Sequence, residues 1–180
     1  FGYMLLWFYA RHNTGIVFHP SPLDVGAIGE LCSKYRISLL VVTPTFLQLY
    51  LRRCTPEQFS YLRVVLTGAE KLPLRLVQAF QDKFGIVPVE GYGVTECAPV
   101  ISSNCPDFRA SGFYQVASRR GTVGQPFPGV SVRIVDPETW AILPPGQSGM
   151  LLVKGPNVMN GYLGREDLTA KAMKDGWYIT

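Results

Sequence analysis

The sequence predicts an α/β protein: a parallel sheet flanked by helices, followed by a small antiparallel β subdomain. Three observations carry that expectation. The first half alternates continuous apolar runs with amphipathic segments, the signature of buried parallel strands joined by helices. Gly plus Pro rises from 12 in residues 1–90 to 20 in residues 91–180, a shift toward turns. The second half then carries a strictly alternating segment, V-S-V-R-I-V-D at 130–136, of the kind that forms a half-buried antiparallel strand. The division drawn from these is 1–120 for the α/β part and 121–180 for the β-rich part with one short helix.

Taken in order, residues 23–35 place Leu23, Ala27, Leu31, Cys32 and Tyr35 at helical spacing, with Ser21 as N-cap and Pro22 in the first helical position. Residues 37–42 are β-branched and Leu apart from Ser38, ended by Thr43-Pro44, and predict a buried strand. A helix is expected over 45–53 and a second buried strand over 62–67, closed by Gly68. Residues 74–84 form an amphipathic helix with Leu76, Val77, Phe80 and Phe84 inward and Gly85 as its C-terminal cap. A short strand follows at 87–90. In the second half, strands are expected at 130–136 and 150–154, a helix at 166–174 and the start of a strand at 177–180. Asp136-Pro137-Glu138-Thr139 and Pro144-Pro145-Gly146 supply the breaks.

The composition excludes several classes of protein. Hydrophobic residues are 47% and charged residues 17% of the 180, enough apolar material for a packed core and too much for a disordered chain. The net charge of +4 is scattered, with no basic arm for nucleic acid and no polybasic membrane anchor. No run reaches the about 18 apolar residues of a spanning helix. The apolar opening at 1–10 has no basic segment before it and starts on Phe, which suggests a piece of something longer. Four cysteines without a C-x-x-C pair, and His12 and His19 alone, point to reduced thiols in a cytoplasmic protein and away from a Cys/His zinc site.

Ligands of open parallel sheets bind where strands end. Two such ends are rich in Gly and polar groups. Thr67-Gly68-Ala69-Glu70 would let a flat ligand approach the backbone, with Glu70 fixing its orientation; the same tetrapeptide equally fits a plain strand-to-helix turn. Glu90-Gly91-Tyr92-Gly93-Val94-Thr95-Glu96 is richer. Gly91 and Gly93 allow tight turns and close approach. Tyr92 offers a face on which a base can stack. Thr95 supplies a hydroxyl for a phosphate oxygen, and Glu96 a single hard carboxylate of the type Mg²⁺ takes while keeping its waters. Glu96 stands where a dinucleotide-binding fingerprint would need its third Gly.

The order of motifs extends this. After T-G-A-E and G-Y-G-V-T-E come G-T-V-G-Q-P-F-P-G at 121–129, G-P-N-V-M-N-G-Y at 155–162 and D-G-W-Y-I-T at 175–180. Together they resemble the adenylate-forming superfamily of acyl-CoA synthetases, luciferases and peptide-synthetase adenylation domains. The segment T-E-C-A-P-V-I-S at 95–102 is most similar to enzymes acting on fatty acids: long-chain acyl-CoA synthetases and the acyl-ACP synthetase domain of bacterial 2-acylglycerophosphoethanolamine acyltransferases.

The resemblance implies a two-step reaction. A carboxylate attacks the α-phosphate of ATP, giving acyl-adenylate and pyrophosphate; a thiol of CoA or acyl carrier protein then takes the acyl group and releases AMP. It implies Glu96 as Mg²⁺ ligand, Thr95 on the phosphate, Tyr92 on adenine, and Gly68, Ala69, Glu70, Gly91 and Gly93 lining the nucleotide pocket. Thr43-Pro44-Thr45-Phe46 and residues 94–99 would border the acyl tunnel. By the same resemblance, a phosphate loop precedes residue 1, and a ribose-binding Asp and a mobile C-terminal domain with a catalytic Lys follow residue 180. The 180 residues alone are then expected to be inactive, and the longer protein to work in the cytoplasm or at the inner face of the membrane. The alternatives are an adenylating ligase for an aromatic or amino acid, and a non-catalytic nucleotide-binding module. Cys97 is read as packing, Arg119-Arg120 as a solvated loop pair and Trp177 as core.

Overall fold

The computed structural model describes residues 14–180. The apolar run at 1–10 and His12 lie outside the described residues. The chain divides into two compact units: residues 14–92 with Ser103–Gln125, and Gly93–Ser102 with Pro126–Thr180.

The first unit is built from α1 (Val25–Lys34), β1 (Leu39–Val42), α2 (Pro44–Arg53), β2 (Val64–Thr67), α3 (Leu74–Phe84) and β3 (Val89–Gly93). The three strands are parallel, with Leu39 opposite Val64 and Leu66 opposite Val89, as the strand–helix alternation predicts. Apolar faces of the three helices meet in one core. Leu47, Val65 and Phe80 are fully buried there, and Phe59, Phe80 and Phe84 form an aromatic cluster with centroids 4.5–6.2 Å apart. Helix α3 has the predicted bounds. It stops at Gly85, whose φ of +72° lets its N–H reach back to the Gln81 carbonyl.

Three expectations shift in this unit. Of the apolar residues placed at helical spacing over 23–35 only Cys32 is buried; Leu23 lies before the helix and Tyr35 after it, and both are exposed. The N-cap of α1 is Asp24, whose carboxylate accepts from the Ala27 N–H, not Ser21. The Pro22 carbonyl, which a helix starting there would use internally, instead accepts the Tyr50 hydroxyl at 3.0 Å. Ser21 turns inward on its own loop, accepting from Leu23 N–H. Each of the three strands starts two residues later than read, and β3 runs through Gly91 and Gly93, so both glycines are extended strand residues and not a tight turn.

Beyond β3 the chain makes a 3₁₀ turn (Thr95–Cys97) and β4 (Val100–Ser103). A hairpin of β5 (Phe108–Ala110) and β6 (Phe113–Gln115) follows. Both strands are exposed throughout. With neither face buried, the hairpin carries no core-facing periodicity to detect. Arg119-Arg120 lies in a loop as read, with the Arg120 guanidinium donating to Gln81. The short β7 (Gln125–Pro126) ends this stretch.

The second unit contains β8 (Ser131–Val135), β9 (Met150–Lys154), α4 (Glu166–Ala172), β10 (Met173–Lys174) and β11 (Trp177–Ile179). The four strands form an antiparallel sheet in the order β10-β11-β9-β8. Trp177 is core, packed with Val135 and Leu152, and the Arg133 guanidinium lies 4.2 Å from its ring centroid. The predicted helix 166–174 ends at Ala172. Its last two residues pair as β10 with β11 across Asp175-Gly176, at φ +51° and +75°. An Asp-Gly pair at positive φ makes a two-residue hairpin turn, and that pairing outcompetes another half turn of helix.

All four cysteines are free. Burial pushes the thiols of Cys32, Cys54 and Cys97 up to about 11, whereas Cys105 is exposed. Since the thiolate is the reactive form, a disulfide reagent at pH 8 is expected to label Cys105 in the native protein. The other three should react only on unfolding. Mass mapping of the labelled peptides checks this.

Candidate active site

The first unit presents the carboxyl ends of β1 and β2. Thr67 is fully buried, its hydroxyl donating to the Val89 carbonyl at 3.0 Å, which ties β2 to β3. The chain then turns at Ala69, held at φ +69°, a conformation an L-residue adopts only when its surroundings enforce it. Gly68 is buried beneath this turn, while Ala69 and Glu70 are exposed. The Thr45 hydroxyl, on the first turn of α2, donates to the Glu70 carboxylate at 2.6 Å. Glu70 and the 43–46 segment, two separate readings of the sequence, are thus joined by one hydrogen bond. Gly91 and Tyr92, both half-buried, lie in β3.

Asn104 is a residue the sequence reading missed. Only 5% exposed, it donates from its amide to the carbonyls of Glu90 and Thr122 and accepts the Arg119 N–H. Its own N–H donates to the Glu90 carbonyl. Glu90 in turn accepts the Leu72 N–H through its carboxylate. These bonds weld the start of the G-Y-G segment to the 119–122 loop. They span 14 to 18 residues, and no local pattern reveals them. A cavity of about 510 Å³ lies between α3, the start of β3 and this loop, lined by Leu62, Val77, Ile86, Arg63 and Arg119 among others. None of Gly68, Ala69, Glu70, Gly91, Tyr92, Gly93, Thr95 or Glu96 lines it.

The second unit holds Gly93, Thr95 and Glu96. The 3₁₀ turn leaves Thr95 exposed and directs Cys97 inward, fully buried, as its reading as packing requires. The turn ends on Ala98 at φ +50°. Glu96 is gripped from the 155–162 segment. Its carbonyl accepts the Met159 N–H at 2.7 Å, and its carboxylate accepts the Tyr162 hydroxyl at 2.7 Å. Asn157 donates to the carbonyls of Cys97 and Val100 at 2.8 and 3.1 Å. The Tyr162 hydroxyl, with smaller help from the backbone and Tyr178, holds the Glu96 carboxyl below the usual carboxylate range. The hydrogen bond to Glu96, then burial and the charge of Glu96, push Tyr162 up in return, and burial pushes Tyr178 well up. Glu96 is therefore an oriented carboxylate at neutral pH.

Among the described residues no group of three or more His, Cys, Asp or Glu could hold a metal ion by itself. One oriented carboxylate suits an ion that arrives with a substrate. Mg²⁺ is bound by one or two carboxylates plus phosphates and waters, not by an all-protein cage.

The architecture, parallel strands with helices followed by an antiparallel sheet, is that of the N-terminal domain of adenylate-forming enzymes. The ATP-bound structure of MatB from Rhodopseudomonas palustris superposes with a TM-score of 0.79 at 33% identity, over 93% of this chain and 31% of that one. The chain matches the AMP-binding enzyme family over residues 1–163 and belongs to it. A feruloyl-CoA synthase of Amycolatopsis sp is 34% identical over 91% of this chain and 32% of its own length. A long-chain-fatty-acid–CoA ligase of Escherichia coli O6:H1 is 32% identical over 89% of this chain and 27% of its own length. The chain thus spans about a third or less of the relatives it matches. Among the described residues no helix is long and apolar enough to cross a membrane.

Proposed function

We propose that the whole protein carrying this chain is an ATP-dependent ligase that joins a fatty acid to a thiol through an acyl-adenylate. The observation that carries this reading is the pre-oriented Glu96 carboxylate beside the exposed Thr95, directly after the Gly91-Tyr92 end of β3. The substrate carboxylate attacks the α-phosphorus of ATP, and the bond to pyrophosphate breaks. The thiol sulfur then attacks the acyl carbon, and AMP leaves. Neither step needs much acid–base work from the protein; positioning and charge neutralisation carry the first. Tyr92 stacks on adenine, while the strained turn at Gly68-Ala69-Glu70 and the backbone at Gly91 and Gly93 line the nucleotide. Thr95 donates to the phosphate. Glu96 would hold Mg²⁺, which would supply charge neutralisation at the phosphate oxygens. The hydrogen bond from Thr45 to Glu70 fixes the 43–46 segment, which, with residues 94–99, borders the acyl group.

Support for a fatty acid comes from the T-E-C-A-P-V-I-S segment and the long-chain ligase relatives, and support for CoA from the same relatives. A second reading, an aromatic acid, rests on the feruloyl-CoA synthase and on an indoleacetate–CoA ligase of Aromatoleum aromaticum, 32% identical over 92% of this chain. A pyrophosphate-release panel on the full-length protein tests both. It would include saturated fatty acids of several lengths, ferulate and an amino acid, each with CoA or acyl carrier protein. Fatty acids are expected to turn over fastest. Preference for ferulate moves the substrate to the second reading, and no pyrophosphate from any acid refutes the ligase.

A further inference from the structure

We propose that Tyr162 is a positioning residue for Glu96: its hydroxyl sets the orientation in which that carboxylate meets the nucleotide-bound cation. The inference rests on the reading of Glu96 as the metal ligand. Four observations carry it. The Tyr162 hydroxyl donates to Glu96 Oε1 at 2.7 Å across 66 residues of sequence, with no other part of the ring needed for that bond. Glu96 is also held at its backbone, by the Met159 N–H, so the remaining freedom lies in its side chain, and Tyr162 is placed to remove it. Tyr162 is itself braced: its N–H donates to the Thr169 hydroxyl on α4 at 2.9 Å, and that hydroxyl donates to the Arg165 carbonyl at 3.0 Å. Gly161 sits against Thr169 so closely that a Cβ there would fall 2.8 Å from the Thr169 methyl, which sets where the Tyr162 ring starts. A chain of contacts therefore runs from α4 through Tyr162 to the carboxylate.

The physical gain is pre-organisation. A free glutamate samples several rotamers, and binding a cation would have to freeze them. A carboxylate already fixed through one oxygen meets the cation with that ordering done. Groups that orient metal ligands in this way alter metal affinity or activity by about ten- to hundredfold when removed.

The test is Tyr162→Phe in the full-length protein, with Glu96→Gln beside it. The first readout is the apparent activation constant for Mg²⁺ in ATP–pyrophosphate exchange. The second needs no turnover: Mn²⁺ binding in the presence of ATP, followed by electron paramagnetic resonance. For Tyr162→Phe both constants are expected to weaken about tenfold or more, with the exchange rate at saturating Mg²⁺ within about twofold of the parent by the same reasoning. AMP affinity without metal and the thermal midpoint should stay unchanged. Two results overturn the proposal: unaltered Mg²⁺ and Mn²⁺ constants in Tyr162→Phe, or an equal loss of metal-free AMP affinity and thermal stability, which marks a merely structural tyrosine. If Tyr162→Phe leaves the metal constants unaltered while Glu96→Gln loses its metal dependence, the reading of the site stands and only the positioning role falls. If Glu96→Gln itself keeps the parent's metal constants, the reading of Glu96 falls, and the proposal with it.

Discussion

Replacing Glu96 by Gln is expected to lower ATP–pyrophosphate exchange by the full-length protein on the order of 10²–10³-fold, with the fold intact. The magnitude follows from removing one pre-organised electrostatic group at a reacting phosphate. The fold survives because Gln keeps the shape and retains a carbonyl oxygen able to accept the Tyr162 hydroxyl, now found on Glu96 at 2.7 Å. The backbone bond from Met159 does not involve the side chain at all. What disappears is the negative charge that Tyr162 and Tyr178 help maintain. Circular dichroism and the melting midpoint should match the parent. A variant that exchanges pyrophosphate at the parental rate would mean that Glu96 is only a brace for the 155–162 segment.

Gly93→Ala is expected to damage both stability and activity, for a reason unrelated to ligand approach. A Cβ on Gly93 would lie 1.9 Å from the Pro99 carbonyl oxygen, 2.8 Å from its carbon and 2.9 Å from the Val100 Cα, all backbone atoms. The opposing segment cannot yield easily. Asn157 holds the carbonyls of Cys97 and Val100, and Met159 holds that of Glu96. Overpacking against fixed backbone costs roughly 3 kcal/mol. For a domain of this size that corresponds to a drop of about 6–12 °C in melting midpoint. Any relief by moving the 3₁₀ turn displaces Thr95 and Glu96, so exchange activity should fall at least about tenfold, as misplacement of a catalytic group does. Gly15→Ala is the control. Among the described residues nothing lies within 4 Å of its Cβ position, and the change should be neutral to about 0.5 kcal/mol. A Gly93→Ala protein as stable as that control would refute the close-approach argument.

Gly93 also shows how far the sequence could be read. The G-Y-G-V-T-E segment stood out by residue type, and its glycines were given to turns and ligand approach. The structure places them in an extended strand and gives Gly93 the task of admitting Pro99. The motif was visible, but which neighbour required the missing Cβ was not, because that neighbour is chosen by the turn that follows. Helix α3 and strand β9 were read with their bounds because their signals are local: an apolar stripe closed by Gly85, and an apolar run closed by Gly155. The start of α1 was misread because Ser21 and Asp24 are both good caps. A tertiary bond, Tyr50 to the Pro22 carbonyl, decided between them. The end of α4 was misread because Asp175-Gly176 favours a hairpin as strongly as the preceding residues favour a helix.

The residues that support the candidate site were the least legible. Asn104 is an ordinary polar residue that nothing in its immediate surroundings marks, and Asn157 and Tyr162 stand in the G-P-N-V-M-N-G-Y motif with no role legible there. Each acts on a partner 14 to 66 residues away. By itself the sequence determined the α/β class, the parallel pairing of the first three strands and the buried face of α3, and it singled out Tyr92, Thr95 and Glu96 as candidates by their functional groups. These follow from periodicity, turn chemistry and functional groups, all properties of short stretches of chain. Only the tertiary structure decided which glycine makes room for backbone, which asparagine ties β3 to the loop beyond it, and that Glu96 is a carboxylate held by a tyrosine. Those features are hydrogen bonds and close approaches between distant segments, and they exist only once the core has brought the segments together.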